Sequence, residues 1–177
     1  MNGKEIETLA KKHPSIAAKF RGVFSSNTLP EPSTDGFYIA NLDPDTEAGT
    51  HWIAMDVRSG KEKSIYFDSY GYPPCQRAFL HFLPVDYVHN NKRLQHLLST
   101  ACGQWCLYFL LRRAQNWSLN DIVKPFLDQG KSHCRSIIND HVVNHKVEKL
   151  FNTDLDVIDH AFATEQLIRG FPRNKTS

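Results

Sequence analysis

A histidine, an acidic residue and a cysteine stand in this chain where they can form a thiol protease site. His51 and Asp68 mark the two ends of a hairpin-like segment, and Cys102 opens a helix-like segment further along. A cysteine becomes the nucleophile of an acyl transfer when a histidine takes its proton and a carboxylate orients that histidine. The three residue types predict this chemistry if the elements between them bring the side chains together.

Two short segments, residues 51–57 and 64–68, have the composition of strands in an antiparallel hairpin. Both are rich in apolar and β-branched side chains, and the polar segment between them contains a glycine. A turn centred on residues 59 and 60 would place His51 directly opposite Asp68. Opposed residues in an antiparallel pair have Cβ atoms roughly 5 Å apart. The hairpin therefore predicts a hydrogen bond between the imidazole and the carboxylate.

Residues 99–113 predict a largely buried helix with the cysteine at its amino end. Ser99 or Thr100 is available as the N-cap, and two arginines suit the carboxyl end of the helix dipole. Cys102 falls in the first turn, where unpaired N–H groups favour a thiolate. Cys106, one turn later, lacks this advantage. The pattern therefore indicates Cys102 as the nucleophile.

A tetrahedral intermediate also requires hydrogen-bond donors for its oxyanion. The backbone N–H of Cys102 is one candidate, and the side-chain amide of Gln95 is another. By their chemistry alone, Asn90 and Gln104 would serve equally well.

Each of these residues also has an ordinary structural explanation. A cysteine on an apolar helix is usually a small core residue. Asp68 can simply begin the turn suggested by residues 69–74. The prediction of a catalytic site therefore depends on the combination.

The same residues carry a resemblance to the adenovirus-type (adenain-like) cysteine proteases, which share their architecture with the proteases that process ubiquitin-like proteins. The matching segments are residues 49–52 (GTHW), 66–71 (YFDSYG), Gln95 and 99–106 (STACGQWC). The resemblance implies that His51 is the general base and that Asp68 orients it. It also implies that Gln95 is the oxyanion donor and Cys102 the nucleophile.

The fold expected from the sequence and this resemblance is a single α+β domain over residues 1–177. A small, mostly antiparallel sheet would pack against a buried central helix with the nucleophile at its N-terminus. The implied activity is cleavage of viral or virus-like capsid precursors near glycine, with Trp52 and Gly103 contacting the substrate. One alternative is a cellular-type protease that removes ubiquitin-like modifiers. An alternative of another class is a non-catalytic module that binds DNA or capsid protein.

Two departures from the adenovirus pattern concern the acid and the activator. The acid is Asp68, whereas adenovirus members carry Glu at this place. The relatives that act on ubiquitin-like proteins commonly use Asp. Those viral enzymes also form a disulfide with an activating peptide through a cysteine shortly before the oxyanion Gln. Here no cysteine lies between Cys75 and Cys102. The resemblance also implies DNA as an activator. Basic pairs and three basic residues near the end of the sequence are candidates for contacts with its phosphates. Charges at helix ends and on the solvated surface explain these residues equally well. These basic residues are Lys11, Lys12, Lys92, Arg93, Arg112, Arg113, Arg169, Arg173 and Lys175.

Composition is that of an ordinary globular protein. The 177 residues are 41% hydrophobic and 23% charged, with a net charge of +2 that does not by itself require a nucleic-acid partner. No signal peptide or membrane-spanning segment is expected, and the few cysteines indicate a reducing compartment, so we expect an intracellular protein, in the host nucleus or virion if it is viral. We also expect a monomer. The histidines near Cys134 form no metal-binding motif, so no metal is expected. Residues 171–177 are expected to be a mobile tail.

Overall fold

The computed structural model describes residues 1–30, 34–127 and 134–151. This part of the chain forms an α+β structure with six helices and five strands, as the sequence predicts in outline. The elements, in chain order, are α1 (Gly3–Lys12), α2 (Pro14–Ala17), β1 (Phe20–Phe24), β2 (Gly36–Asn41), β3 (Trp52–Val57), β4 (Ser64–Phe67), α3 (Arg77–Phe82), β5 (Tyr87–His89), α4 (Cys102–Ala114), α5 (Leu119–Leu127) and α6 (Cys134–Phe151). The predicted tail, residues 171–177, lies outside the described residues.

The strands form one mixed sheet in the order β1-β2-β3-β4-β5. The central pairs, β2–β3 and β3–β4, are antiparallel, whereas the edge strands β1 and β5 pair in parallel with their neighbours. The prediction of a mostly antiparallel sheet is therefore wrong. The sequence pattern does not reveal the edge strands, because β5 has only three residues and β1 contains Gly22 at an irregularity in its register.

The β3–β4 hairpin has a register two residues away from the predicted one. Ala54 pairs with Phe67, whereas a turn centred on residues 59 and 60 would have paired it with Ile65. The predicted direct opposition of His51 and Asp68 is consequently wrong. A shift of two residues keeps every side chain on its original face of the sheet, because side chains alternate with a period of two. The two residues become diagonal neighbours instead, at about 7–8 Å between backbones, which long side chains can span.

The sheet is buried on both faces. One face packs against the helices through a core that contains Ile39, Ala54 and Phe67, and the ring of Phe67 stacks on Phe109 of α4 at 4.6 Å. The other face holds a second core that includes Tyr38 and α3. β3 and β4 are thus held on both sides, which fixes the strand ends that carry His51 and Asp68.

Helix α4 begins at Cys102, with Ala101 as its N-cap and no side-chain cap. The predicted cap by Ser99 or Thr100 is therefore wrong, although the Ser99 hydroxyl accepts a hydrogen bond from the Ala101 N–H at 3.1 Å. The position of Cys102 in the first turn is confirmed. Residues 102–111 are all buried, so the helix is enclosed along most of its length.

The two arginines at the end of α4 make internal contacts. Arg113 forms an ion pair with the buried Asp56 of β3 at 2.8 Å, and the Arg112 guanidinium lies over the rings of Tyr108 and Trp117. Their role is therefore packing of the helix against its surroundings.

Within the described ranges, no helix is both long and apolar enough to cross a membrane.

Candidate active site

The imidazole of His51 and the carboxylate of Asp68 meet at the ends of the hairpin. His51 immediately precedes β3, Asp68 immediately follows β4, and Nε2 of the histidine lies 2.8 Å from Oδ1 of the aspartate. The Tyr70 N–H also donates to this oxygen at 2.7 Å, and both site residues are at least nine-tenths buried. The carboxylate that orients the imidazole is therefore itself held in place by the Tyr70 N–H and by burial.

The thiol of Cys102 completes the chain of contacts. The His51 side chain lies close enough to the thiol to lower its pKa, and because Nε2 faces Asp68, Nδ1 is the ring nitrogen left for the thiol. The backbone groups of Trp52 and Gly103 also act to lower the pKa of the thiol. The structure thus brings together all three residues that the sequence predicts as a catalytic set.

The charges of this set favour a thiolate–imidazolium pair. Burial acts to lower the pKa of His51, but its hydrogen bonds to Asp68 and Cys102 raise it to about 9. Burial acts to raise the pKa of Cys102, but hydrogen bonds with His51 and the Trp52 backbone outweigh it and leave the pKa below that of an ordinary thiol. Both shifts act in the same direction, moving the proton from the thiol toward the imidazole.

Cys106 lies one turn further along α4 in a different environment. It is 1% exposed, and burial, reinforced by the nearby Cys102 and Asp68, raises its pKa well above the usual range. A thiol that remains protonated is a poor nucleophile. The pKa shifts of the two thiols are thus opposite in direction, and His51 contributes more to the lowered pKa of Cys102 than the helix amide of Gly103 does. The role of Cys102 as nucleophile stays a prediction.

Gln95 is fully buried close to the start of α4. Its Oε1 accepts a hydrogen bond from the Ser69 hydroxyl at 2.5 Å, and its Nε2 donates to the carbonyl of Ser99 at 2.8 Å. The second N–H of the amide has only longer neighbours, the hydroxyls of Tyr70 and Ser99 at 3.5 Å. Gln95 therefore retains a weakly engaged donor in the segment that leads to the nucleophile.

The two other amides considered from the sequence have different surroundings. The side chain of Asn90 bonds both backbone groups of Asp68, accepting from its N–H at 3.0 Å and donating to its carbonyl at 2.5 Å. Gln104 is buried in α4, and its Oε1 has no hydrogen-bond partner among the described residues. Asn90 thus supports the acid of the site, a role that its place in a polar segment does not reveal.

The turn after β4 connects the acid to the segment that carries Gln95. The carbonyl of Ser69 accepts hydrogen bonds from the backbone N–H groups of Leu94 and Gln95 at 2.9 and 3.0 Å. Gly71 in the same turn has φ +78°, and a Cβ there would lie 2.6 Å from the carbonyl carbon of Lys92. Only glycine allows the two backbones to approach this closely.

Tyr70 is a member of the site that the sequence argument did not single out. Its ring stacks on the imidazole of His51, with centroids 4.5 Å apart and planes at 22°. Its hydroxyl lies 3.4 Å from the carbonyl of Leu97. The available signal is its position two residues after Asp68, within the segment 66–71 that carries the resemblance.

Trp52 and Gly103 both contact the amino-terminal part of the chain. The indole N–H of Trp52 donates to the Met1 carbonyl at 3.3 Å, and its ring lies against Gly3. A Cβ on Gly103 would lie 3.0 Å from Ile6. The space beside Gly103 is therefore occupied by protein, and the substrate contacts of both residues stay a prediction.

Among the side chains that the structure describes, no group of three or more His, Cys, Asp or Glu is arranged to hold a metal ion. His133 and the side chain of Cys134 lie outside that description. Compared with models of known protein families and with curated protein sequences, the chain shows no match.

Proposed function

We propose that this protein is a thiol endopeptidase with Cys102 as nucleophile and His51 as general acid and base. The observation that carries this proposal is the arrangement of three side chains in which Asp68 is hydrogen bonded to His51 and His51 lowers the pKa of the Cys102 thiol. A buried cysteine without such partners would have a raised pKa, as Cys106 does.

In the proposed reaction the Cys102 thiolate bonds to the carbonyl carbon of the scissile peptide, and the carbonyl electrons move to its oxygen. Collapse of this intermediate breaks the C–N bond, and the His51 imidazolium gives its proton to the leaving nitrogen. The neutral imidazole then takes a proton from water as the resulting hydroxide attacks the thioester. Breaking of the C–S bond releases the acid product and restores the thiolate–imidazolium pair.

Two donors are proposed for the oxyanion. The N–H of Cys102 lies in the first turn of α4, where amides have no partner within the helix. The second donor is the weakly engaged N–H of Gln95, whose orientation is set by Ser69 and Ser99. Removal of one such donor typically lowers kcat by about 10²–10³-fold.

The proposed substrates follow from the resemblance to the adenovirus-type proteases. They are viral or virus-like capsid precursors with glycine close to the scissile bond, and proteins joined to ubiquitin-like modifiers are the alternative. DNA or a peptide as activator is a further proposal. Of the basic pairs, Lys11 with Lys12 and Lys92 with Arg93 are exposed and remain candidates for such contacts.

The test compares the reactivity of the cysteines within one molecule. Iodoacetamide at pH 6 is expected to alkylate Cys102 faster than the exposed Cys75, because the lowered pKa of Cys102 increases its thiolate fraction. Peptide mapping by mass spectrometry gives each rate. If Cys102 reacts no faster than Cys106, the proposal fails.

The matched variants are Cys102→Ala and Cys106→Ala, each of which removes one sulfur from the same helix. The first should abolish cleavage of glycine-containing peptides and of ubiquitin-like fusions, whereas the second should keep it. Which substrate the unmodified protein cleaves distinguishes the two substrate classes. Retained turnover by Cys102→Ala would overturn the assignment of Cys102 as nucleophile. Absence of cleavage across the panel, combined with an unreactive Cys102, would instead favour the non-catalytic module.

A further inference from the structure

Helix α6 contacts the segment that carries Gln95 on both sides of that residue. The Asn139 amide donates to the carbonyl of Leu94 at 3.2 Å, and Oδ2 of Asp140 accepts from the N–H of His96 at 3.0 Å. Both α6 side chains are buried. The backbone on either side of the proposed oxyanion donor is therefore bonded to one helix.

The same carboxylate reaches the helix of the nucleophile. Oδ1 of Asp140 accepts a hydrogen bond from the indole N–H of Trp105 at 2.8 Å, and Trp105 lies in the first turn of α4 with Cys102. Asp140 thus links the oxyanion segment to the nucleophile helix through its two oxygens. Hydrogen bonds to a carboxylate are shorter and stronger than those between neutral groups, so the link resists displacement.

The oxyanion segment depends on such bonds because it lies outside the helices and strands. Gln95 lies in neither a helix nor a strand, and the side chains of Leu97 and Leu98 that follow it are 54% and 82% exposed. Its other anchors include the buried Leu94, the bonds to Ser69 and the bond from the Gln95 amide to the Ser99 carbonyl. A donor that stabilises an oxyanion must be held in place before the reaction, and a displacement of about 1 Å can reduce the rate about 10²-fold.

We propose that Asp140 is a positioning residue for the oxyanion hole, which holds Gln95 at a fixed place relative to Cys102. This inference rests on the proposed function. Asp140 itself touches no reacting atom; it acts through the backbone of His96 and the indole of Trp105.

The test is Asp140→Asn in the full chain, assayed by peptide hydrolysis and by alkylation of Cys102. The amide keeps the shape of the side chain but turns one acceptor into a donor that faces another N–H. We expect kcat to fall about 10-fold or more, approaching the 10²–10³-fold loss typical of a missing oxyanion donor, with a smaller change in KM. Alkylation by iodoacetamide displaces iodide from a CH2 carbon and forms no oxyanion, so its rate should stay the same.

A double-variant cycle with Gln95→Ala identifies the route of the effect. If Asp140 acts through Gln95, Asp140→Asn should lower kcat no more than about 2-fold in the Gln95→Ala background, because coupled residues are not additive. Full multiplication of the two effects, or a parallel loss of hydrolysis and alkylation, overturns the inference. His145→Gln, a change at an exposed position of α6, is the control and should leave both rates unchanged.

Trp105→Phe supplies a second variant should Asp140→Asn fail to fold, because it removes the indole donor and keeps an aromatic ring. The same pattern is expected: slower hydrolysis, unchanged alkylation and little further loss with Gln95→Ala. If the unmodified protein hydrolyses peptides and both variants match it, the inference alone fails. If the unmodified protein is inactive and its Cys102 unreactive, the proposed function fails and the inference with it.

Discussion

At the scale of single residues, the charge state of the site depends on Asp68. Its carboxylate lies 2.8 Å from His51 Nε2, and this contact, with that of Cys102, outweighs burial and raises the imidazole pKa to about 9. Because this exceeds the 6.5 of a free imidazole, the protonated histidine stabilises the folded state. The contribution is complete below pH 6.5 and is lost as pH rises through about 9.

Asp68→Asn is therefore expected to lower the pKa of His51 and to change the pH profile of hydrolysis. In the unmodified protein, kcat/KM should fall as pH rises past about 9, where the imidazolium is lost. In the variant this fall should occur at lower pH, and kcat should decrease about 10²–10⁴-fold, the usual contribution of general acid–base catalysis. Rates measured from pH 5 to 10 provide the comparison.

Asp86→Asn is the matched control, since Asp86 pairs with Lys63 on the surface and is 75% exposed. Its profile should coincide with that of the unmodified protein. An alkaline limb that stays in place in Asp68→Asn would show that this carboxylate does not govern the imidazole.

At the scale of elements, the site depends on how the turn after β4 meets the segment before α4. Ser69 bonds the backbone of Gln95, and Gly71 lies against the backbone of Lys92. One turn therefore sets the positions of both Asp68 and Gln95. This arrangement requires the left-handed backbone conformation of Gly71.

Gly71→Ala is expected to separate these two backbones. A Cβ at φ +78° and 2.6 Å from the Lys92 carbonyl carbon must displace one of them. We expect a loss of stability of about 1–2 kcal/mol from the left-handed backbone, more with the clash, together with a loss of hydrolysis. Thermal unfolding and peptide cleavage measure the two effects.

Gly60→Ala offers the corresponding substitution in the hairpin turn, where a Cβ would have no neighbour within 4 Å among the described residues. It should leave cleavage unchanged. If Gly71→Ala also keeps the activity of the unmodified protein, the close approach is not required for the site.

At the scale of the whole molecule, a buried ion cluster joins the nucleophile helix to the sheet. Asp56 of β3 has no exposed surface, and its two oxygens contact Arg58 at 2.6 Å and Arg113 at 2.8 Å. Arg113 lies at the opposite end of α4 from Cys102. The cluster thus anchors the helix at one end while the site occupies the other.

Asp56→Asn should destabilise the protein by about 3–5 kcal/mol, because it leaves two partly buried guanidinium groups without a charged partner. Lys63→Met removes the exposed pair with Asp86 instead and should change stability by about 0–1 kcal/mol. Urea denaturation gives both values. Equal effects of the two variants would show that the buried cluster does not hold the helix to the sheet.

The sequence by itself determined the residue types, their order along the chain and much of the local structure. A strand pattern on either side of a glycine-containing turn located β3 and β4, and their ends carried His51 and Asp68. Position in the first turn of an apolar helix distinguished Cys102 from Cys106. These inferences succeed because periodicity and helix ends are local properties of the chain.

Only the tertiary structure decided the hairpin register, the mixed sheet and the contacts that support the site. Register depends on packing of both faces of the sheet, so a turn position inferred from one glycine was one residue away and the strand partners two residues away. The short parallel edge strands depend on neighbours distant in sequence. The same is true of the hydrogen bonds made by Asn90 and Asp140 and of the stacking of Tyr70 on His51. Side-chain contacts between segments distant in sequence leave no periodic pattern in the chain.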